Sequence, residues 1–387
     1  MSVHRPVDLE LTTIARDTWR KLISLSATIH LNSTPSHSIP LVPPETFWQL
    51  SADRPIVDVR SPAEYLQGHV PGAFNVPLFS NEERAEIGTV YKNSGRDDAM
   101  LRGLNLVGPR MGEFSSRAKR ICSEHSSSKD VLVHCWRGGL RSESMAWLFK
   151  ITGLAPIVLE GGYKAFRRHA QSRFEEDWPL VVVSGLTGAG KTDVLDELKS
   201  LGEQVVELEQ LANHRGSAFG SIGQPDQPTT EQFENQLFVQ LDRCDRDQTV
   251  WVEDEGNRLG TVVVPPTFVA KIRRSPAIFI DSSPSDRVRR LLKDYGSFSP
   301  AQLIESIANI RKRLGPQHAD EATRLVADGN VERAIQIVLD YYDRTYLHAA
   351  AKMERPKMHQ LDSSGLTARE VAQRMVELKT TVSSATQ

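Results

Sequence analysis

The 387-residue chain contains only three cysteines, and none of them has the paired spacing of a disulfide scaffold or a cysteine-rich zinc site. No apolar run approaches the roughly 20 residues of a membrane-spanning helix, so we expect no membrane partner. Its 47 basic and 49 acidic residues nearly cancel, and a nucleic-acid partner would therefore need a local basic patch. These absences favour a cytoplasmic protein.

The length of the chain suits two or three domains, and strands alternate with helices in two blocks. This alternation predicts an α/β fold with parallel sheets, whose ligand sites lie at the carboxyl ends of strands. We place the first domain at residues 43–172, with an inserted segment at about 80–112. The second domain covers residues 178–380 and ends in a helical part. Residues 1–42 are expected to be a poorly ordered extension, with organelle targeting left open.

The most informative motif is HCWRGGLRS, at residues 134–142. It follows an apolar strand at 131–133 and leads into a helix-forming segment at 143–150. Loop amides, the helix N-terminus and the guanidinium of Arg141 together favour a bound anion. The same field favours thiolate over thiol, which makes Cys135 the predicted nucleophile rather than an inert buried cysteine. The predicted anion cradle comprises Arg137, Gly138, Gly139 and Arg141.

A second anion-binding motif, GLTGAGKT at residues 185–192, follows an apolar strand at 180–184 and precedes a helix-compatible segment at 193–201. This is the G-x-x-x-x-G-K-T pattern in its strand–loop–helix context, and it predicts a phosphate-binding loop. The lysine reaches terminal phosphoryl oxygens and the threonine hydroxyl can ligate Mg²⁺. The predicted phosphate-binding residues are Gly185, Gly188, Gly190, Lys191 and Thr192.

An apolar strand at 249–253 ends in three successive acids, at positions 253–255, where a phosphate-loop protein places a metal-orienting carboxylate. The sequence does not choose among these acids, and a solvated strand end is the simpler alternative. Basic residues also cluster at 287–293, after a predicted strand at 277–281, and again at 311–313. They indicate either solvated helix faces or a track for a phosphate backbone.

Sequence around the cysteine loop resembles the rhodanese family. The resemblance is carried by DVRSPAEY at 58–65, GHVPGAFNVP at 68–77 and LEGGYKAF at 159–166. The loop has one residue more between cysteine and arginine than typical single-domain rhodaneses, which is also the spacing of cysteine-dependent phosphatases. Three alternatives stay open at this point: a rhodanese-type sulfurtransferase, a rhodanese-fold phosphatase, and a non-enzymatic nucleotide-binding module.

The fusion of both loops in one chain resembles the tRNA 2-selenouridine synthase family, with further matching stretches at 83–92, 211–220, 252–255 and 257–260. The resemblance implies that selenium from selenophosphate replaces the sulfur of wobble 2-thiouridine through an S-geranylated intermediate made from geranyl diphosphate. It implies no tightly bound cofactor. Cys135 would handle selenium as a thiolate or a Cys–Se species, and the phosphate-binding loop would hold the diphosphate of geranyl diphosphate or a tRNA phosphate.

The resemblance also implies further contacts to tRNA or diphosphate. Because the wobble uridine lies in a single-stranded loop, its recognition should involve aromatic stacking and backbone charge. Trp136 is a candidate stacking platform, with simple packing as the alternative. For His214, which is one of these candidates, a structural role inside the protein is an equal alternative. The candidate contacts to tRNA or diphosphate are His214, Arg215, Ser217, Glu253 and Glu255.

Overall fold

The structure, a computed structural model, describes residues 38–350 and 358–383, without the side chains of 345–350 and 380–383. The chain divides between His169 and Ala170 into two compact units, each described separately below.

The first unit is built on a five-stranded, fully parallel sheet with the strand order β1-β5-β4-β2-β3. Helices connect successive strands, as parallel pairing requires. The strands are β1 (Leu41–Val42), β2 (Ile56–Asp58), β3 (Ala73–Asn75), β4 (Asp130–His134) and β5 (Ala155–Leu159). The helices are α1 (Pro44–Leu50), α2 (Pro62–Gln67), α3 (Asn81–Ser94), α4 (Arg96–Val107), α5 (Met111–His125), α6 (Leu140–Ile151) and α7 (Gly162–Arg173), the last running into the second unit.

Strand β4 lies in the middle of this sheet and is buried on both faces, which explains its continuous apolar run. Ser61 begins α2 and Ser80 begins α3, and each forms a capping box with a glutamate three residues later. The inserted segment between β3 and α5 is therefore helical. Its two helices pack against each other and are linked to α5 by a 3-10 turn at Gly108–Arg110.

The second unit also contains a five-stranded parallel sheet, with the strand order β12-β11-β6-β8-β7. Its strands are β6 (Leu180–Gly185), β7 (Gln204–Val206), β8 (Val250–Glu253), β11 (Ala277–Asp281) and β12 (Met358–Asp362), and a hairpin is formed by β9 (Arg258–Leu259) and β10 (Val262–Val263). The helices are α8 (Lys191–Ser200), α9 (Leu208–Leu211), α10 (Thr230–Asp242), α11 (Pro266–Arg274), α12 (Pro284–Tyr295), α13 (Pro300–Leu314), α14 (Pro316–Ala327), α15 (Val331–Ala350) and α16 (Ala368–Ser383).

The order of the second sheet reverses at its centre. From β6 the chain proceeds to β7 and β8 on one side, and then to β11 and β12 on the other. The crevice at such a reversal is where open parallel sheets bind ligands. Helices α12 to α15 add a helical layer with its own apolar core, which includes Leu303, Ile307, Val326, Ala334 and Val338.

The predicted fold class is confirmed, and the apolar strands expected at 131–133, 180–184 and 277–281 are β4, β6 and β11. Most of the predicted extension lies outside the described residues. Its last residues, Leu41 and Val42, form β1 against β5, so the folded part begins before the predicted start at 43. No helix in the described ranges is long and apolar enough to cross a membrane.

Candidate active site and phosphate-binding loop

Cys135 lies directly after β4, and its loop ends where α6 begins at Leu140. Amides at the start of α7 secure this loop: the N–H of Tyr163 donates to the Cys135 carbonyl at 2.8 Å, and that of Lys164 donates to the Trp136 carbonyl at 3.0 Å. Gly138 has a φ of +66°, and a Cβ there would lie 2.8 Å from the Leu159 carbonyl oxygen. The loop therefore requires glycine at this position.

The Cys135 thiol is almost completely buried, and the Ser142 hydroxyl lies 3.2 Å from its sulfur. Burial alone would raise the pKa of Cys135. The hydrogen bond with Ser142, backbone hydrogen bonds at Gly139 and Arg137, and the charge of Arg141 outweigh burial and lower that pKa. The direction of this shift supports the predicted nucleophile. Ser142 was not singled out from the sequence, although it directly follows the arginine of the motif.

Arg141 stands in the first turn of α6 and is held by Glu64 of α2, with Nη1 2.8 Å from Oε2. Burial raises the pKa of Glu64, but its hydrogen bond to Arg141 and the charge of that guanidinium lower it overall. A guanidinium anchored on one side presents its remaining N–H groups in a fixed direction. In contrast, the side chain of Arg137 is exposed, so within the predicted cradle this residue acts on the thiol through its backbone.

A cluster of buried charged and polar side chains lies next to the cysteine loop. Arg60 and Asp58 are fully buried and form an ion pair at 2.6 Å, and the guanidinium lies 3.9 Å from the centre of the Tyr163 ring. His134 is buried beside them, and burial lowers its pKa to about 4, so its ring is neutral at physiological pH. In the sequence His134 belongs to the HCWRGGLRS motif and the other three residues belong to the rhodanese-like stretches, and the fold brings them together.

Trp136 is half-buried beside this group. Its ring centre is 5.8 Å from that of Tyr163 and 5.9 Å from the Arg60 guanidinium. These contacts support the packing interpretation, while the partial exposure of the ring leaves base stacking as a prediction.

The phosphate-binding loop joins β6 to α8 and has the backbone that its glycines predict. Gly188 and Gly190 have φ angles of +80° and +87°, and α8 begins at Lys191. The Lys191 ammonium donates to the carbonyl of Gly185 at 3.3 Å, which places its charge over the loop. Thr192 is exposed in the first turn of the helix. The fold therefore brings the five predicted phosphate-binding residues into one strand–loop–helix segment.

Two arginines of α12 hold the outside of the phosphate-binding loop. Arg290 donates to the carbonyls of Gly188 and Ala189 at 3.3 and 3.2 Å. Arg287 is buried, and its Nε donates to the Thr187 carbonyl at 2.8 Å. The suggestion that the whole cluster at 287–293 forms a track for a phosphate backbone is therefore wrong for Arg287, because a buried guanidinium cannot contact a macromolecular surface.

The three acids after β8 have different environments. Glu253 is buried and accepts hydrogen bonds from the amides of Leu208 and Glu209 at the start of α9, while Asp254 accepts from the Ser184 hydroxyl at 2.6 Å. Glu255 is half-buried near Glu209. Burial and the Glu209 charge raise the pKa of Glu255 to about 8, although the charge of Lys191 opposes that rise.

This arrangement separates the predicted contacts near β8. Glu253 holds the backbone of α9, whereas Glu255 lies in the electrostatic field of the phosphate-binding lysine. Burial also raises the pKa of Glu209, although the charge of Lys191 and a hydrogen bond with Glu255 oppose that rise. Glu209 was not recognised from the sequence, where an isolated glutamate in a short helix carries no signal.

The segment from His214 to Gly220 places its polar residues differently. His214 is buried, and a Cβ on Gly220 would lie 2.8 Å from its ring, so the structural interpretation is favoured for this histidine. Burial lowers its pKa. Arg215 is exposed, with its guanidinium 5.7 Å from the centre of the Tyr295 ring, and Ser217 is half-buried.

Comparison with known proteins agrees with both loops. A rhodanese-like domain model matches residues 43–169, and the model of the tRNA 2-selenouridine synthase AAA domain matches residues 178–376. The tRNA 2-selenouridine synthase of Nitrosomonas europaea is 35% identical over 279 residues, covering 70% of this chain and 71% of the relative. That of Shewanella frigidimarina is 32% identical over 352 residues, covering 82% of this chain and 94% of the relative. The chain belongs to the tRNA 2-selenouridine synthase family.

Proposed function

We propose that this protein replaces the sulfur of wobble 2-thiouridine in tRNA with selenium, in two steps carried out at its two anion-binding loops. The observation that carries the proposal is the presence, in one chain, of a pKa-lowered thiol in an anion cradle and an intact phosphate-binding loop. The names of the relatives support tRNA and selenium as substrate and product. Selenophosphate and geranyl diphosphate are the two further substrates of the proposal.

In the first step the thiocarbonyl sulfur attacks the first carbon of geranyl diphosphate. A sulfur–carbon bond forms, the carbon–oxygen bond breaks, and the electron pair leaves with diphosphate. The proton on the adjacent ring nitrogen is then lost to a base. Loop amides and Lys191 would stabilise the departing diphosphate.

In the second step the Cys135 thiolate attacks the phosphorus of selenophosphate, as the loop length shared with cysteine-dependent phosphatases suggests. The phosphorus–selenium bond breaks and hydroselenide leaves with the electron pair, so no oxidant is required. Arg141 and the loop amides would hold the equatorial oxygens. Hydroselenide then adds to carbon 2 of the alkylated base and expels geranyl thiolate, while water hydrolyses the phosphocysteine.

Mg²⁺ fits the phosphate-binding loop only as a partner of the substrate. Among the residues that the structure describes, no group of three His, Cys, Asp or Glu side chains is arranged to hold a metal ion. Mg²⁺ usually keeps several waters and binds through a few protein groups plus substrate phosphates. The Thr192 hydroxyl would be its protein ligand, and the ion would supply charge neutralisation to the diphosphate. We propose no resident cofactor.

Candidate contacts to tRNA lie in the segment from His214 to Gly220. Arg215 is exposed and Ser217 is half-buried, so both stay candidates for a phosphate or base contact, whereas His214 is buried. A rhodanese-type sulfurtransferase or a phosphatase would use the same cysteine loop but would have no need of the second unit. These alternatives predict activity on thiosulfate or aryl phosphates that is independent of Lys191.

The proposal is tested by mass spectrometry of nucleosides from tRNA of cells that lack the protein, carry it, or carry Cys135→Ala, all supplied with selenium. We expect 2-selenouridine only with the wild-type protein. Equal amounts of 2-selenouridine in the three strains would exclude the proposed function. Thiosulfate sulfurtransferase and aryl phosphatase assays of the purified protein address the two alternatives directly.

A further inference from the structure

An apolar cavity of about 50 Å³ lies inside the helical layer of the second unit. Its floor belongs to three helices, α13, α14 and α15, and almost all of its surface is hydrocarbon. Most of the side chains that these helices contribute are buried, each less than a tenth exposed, whereas Val331, Ile335 and Tyr342 are half-buried. The buried side chains include Leu303, Ile307, Val326, Ala334 and Val338.

The rim of the cavity is formed by residues of a different kind. Thr187 belongs to the phosphate-binding loop, Ser217 to the segment that follows α9, and Leu291 to α12. All three are half-buried, as are Val331 and Ile335 of α15. The cavity has one side, its mouth, beside the phosphate-binding loop, and it extends from there to the buried side chains among the helices.

Specific contacts fix the mouth of the cavity to the loop. Arg287 joins the Thr187 carbonyl to the carboxylate of Asp343, with hydrogen bonds of 2.8 Å to the carbonyl and of 2.6 and 2.8 Å to the carboxylate. The helix that carries Asp343, α15, also lines the cavity. On the loop itself, a Cβ added to Gly188 would lie 3.0 Å from Cγ of Leu291. Loop and cavity are thus parts of one packed assembly.

A second tether holds the Ser217 side of the mouth. The Ala218 amide donates to the Tyr342 hydroxyl at 2.8 Å, and both Ser217 and Tyr342 line the cavity. A ligand that bridges loop and cavity would meet a site whose geometry exists before binding, which lowers the entropic cost of recognition.

The ligand that matches this arrangement has a phosphorylated end and an apolar chain. A nucleoside base would need polar partners, and the cavity offers only rim hydroxyls. We propose that the cavity binds the isoprenoid chain of an allylic diphosphate while the phosphate-binding loop holds its diphosphate. This inference rests on the proposed function, and it assigns the chain-binding part of the geranyl diphosphate site.

The size of the cavity sets how much of the chain enters it. One water requires roughly 10–15 Å³ of such space, so about 50 Å³ accommodates roughly three to five groups of that size. That room corresponds to the terminal isoprene unit of the chain, with the remaining carbons passing Leu291 toward the loop. Chain length should therefore be selected at the floor, where Ile307 and Ala334 lie.

The first test fills the floor. Ala334→Leu replaces a methyl group with an isobutyl group in the cavity, and Ala322→Leu makes the same change at a buried alanine of α14 that belongs to the same core. We expect Ala334→Leu to raise KM for geranyl diphosphate by about tenfold or more, as extra methylenes in an apolar pocket do. The control should stay within about threefold of wild type, and inorganic diphosphate should bind all three proteins equally.

The second test enlarges the floor and does not depend on the folding of the filled variant. Ile307→Ala should raise the ratio of kcat/KM for farnesyl over geranyl diphosphate by about tenfold, because it removes bulk among the buried side chains of the floor. The assay uses the full-length protein and tRNA containing 2-thiouridine. A rise in that ratio supports the assignment even if Ala334→Leu does not fold.

The outcomes separate this inference from the function on which it rests. If the wild type transfers geranyl but Ile307→Ala leaves the ratio unchanged, or a folded Ala334→Leu matches its control, the cavity assignment is overturned. If the wild type binds geranyl diphosphate in a cavity-dependent way without alkylating tRNA, the cavity assignment stands and the proposed function fails. Absence of both binding and transfer overturns both.

Discussion

The two anion-binding loops of this protein follow buried parallel strands and lead into helices, yet their reactive or charged side chains lie in different environments. At the cysteine loop the reactive sulfur is buried, and its pKa is lowered by hydrogen bonds with Ser142 and nearby amides and by the charge of Arg141. At the phosphate-binding loop the charged group is Lys191, faced by carboxylates that burial tends to protonate. In the proposed function, the same backbone device serves a nucleophile in one unit and a leaving group in the other.

The difference also extends to how each loop is held. Amides of α7 donate hydrogen bonds to the cysteine loop, and Gly138 of that loop lies close to the Leu159 carbonyl. In contrast, carbonyls of the phosphate-binding loop accept hydrogen bonds from arginines of α12. We therefore expect each loop to carry one step, so that substitutions in the two loops should separate the steps.

Replacing the sulfur should abolish one step only. Cys135→Ser should lower selenation of geranylated tRNA by about a thousandfold or more, because a serine hydroxyl is a far weaker nucleophile in this field. Alkylation of 2-thiouridine by geranyl diphosphate should stay within about twofold of wild type. Cys244→Ser, at a half-buried cysteine in the other unit, is the control. Equal loss of both steps would show that the loops are not separate.

Replacing Lys191 should slow geranylation and leave selenation unchanged, which is the reverse of the effect expected for Cys135→Ser. Lys191→Ala should slow geranylation by about a hundredfold, since one preorganised charge on a developing anion is removed. Selenation of tRNA that already carries the geranyl group should be unchanged. Lys271→Ala removes a lysine of α11 that pairs with exposed Asp177, and serves as the matched control. Single-turnover rates of each step give the answer, and loss of selenation from geranylated tRNA would contradict it.

A smaller effect is expected from the shape of the guanidinium at the cysteine loop. Arg141→Lys keeps the charge but loses the planar fork, and we expect KM for selenophosphate to rise by about tenfold. Arg137→Lys should change it by less than about threefold, because the Arg137 side chain is exposed and its backbone faces the thiol. Similar effects of the two substitutions would place both side chains on the oxyanion.

The carboxylates near Lys191 should appear as a pH dependence of stability. The pKa of Glu255 is raised to about 8 in the folded state, above the ordinary glutamate pKa near 4.5. The contribution of this group to the free energy of unfolding is therefore fully present below pH 4.5 and is lost as pH rises through 8. The free energy of unfolding of the wild type should decrease between these two pH limits. In Glu255→Gln this decrease should be smaller by about 1–2 kcal/mol, a value that allows for screening by solvent at a half-buried group. Chemical denaturation at several pH values measures this, with exposed Glu305→Gln as control; identical slopes in wild type and Glu255→Gln would refute it.

Sequence alone was sufficient where a local pattern determines structure. The apolar runs predicted β4, β6 and β11, and GLTGAGKT predicted a loop between a strand and a helix, which joins β6 to α8 in the structure. Strand β12 was missed because it is a polar edge strand in which only Leu361 is buried. Its pairing with β11 supplies what its composition does not.

Contacts between distant segments could not be predicted. Glu64 precedes Arg141 by 77 residues, and Arg287 follows the Thr187 carbonyl by 100, so only the fold brings these partners together. The basic cluster at 287–293 illustrates the limit: the composition of a helix shows its charge, but not that one of its arginines is buried against a loop. The apolar cavity likewise depends on four helices whose separate patterns reveal only a core.

The assignment of one step to each loop can be tested on 2-thiouridine tRNA that has reacted with each loop variant, geranyl diphosphate and selenophosphate. The measurement identifies the nucleosides left in that tRNA. We predict that Cys135→Ser accumulates S-geranyl-2-thiouridine in the amount that the wild type converts to 2-selenouridine, and that Lys191→Ala leaves 2-thiouridine unmodified. Unmodified 2-thiouridine with Cys135→Ser, or accumulated geranylated nucleoside with Lys191→Ala, would contradict the assignment of one step to each loop.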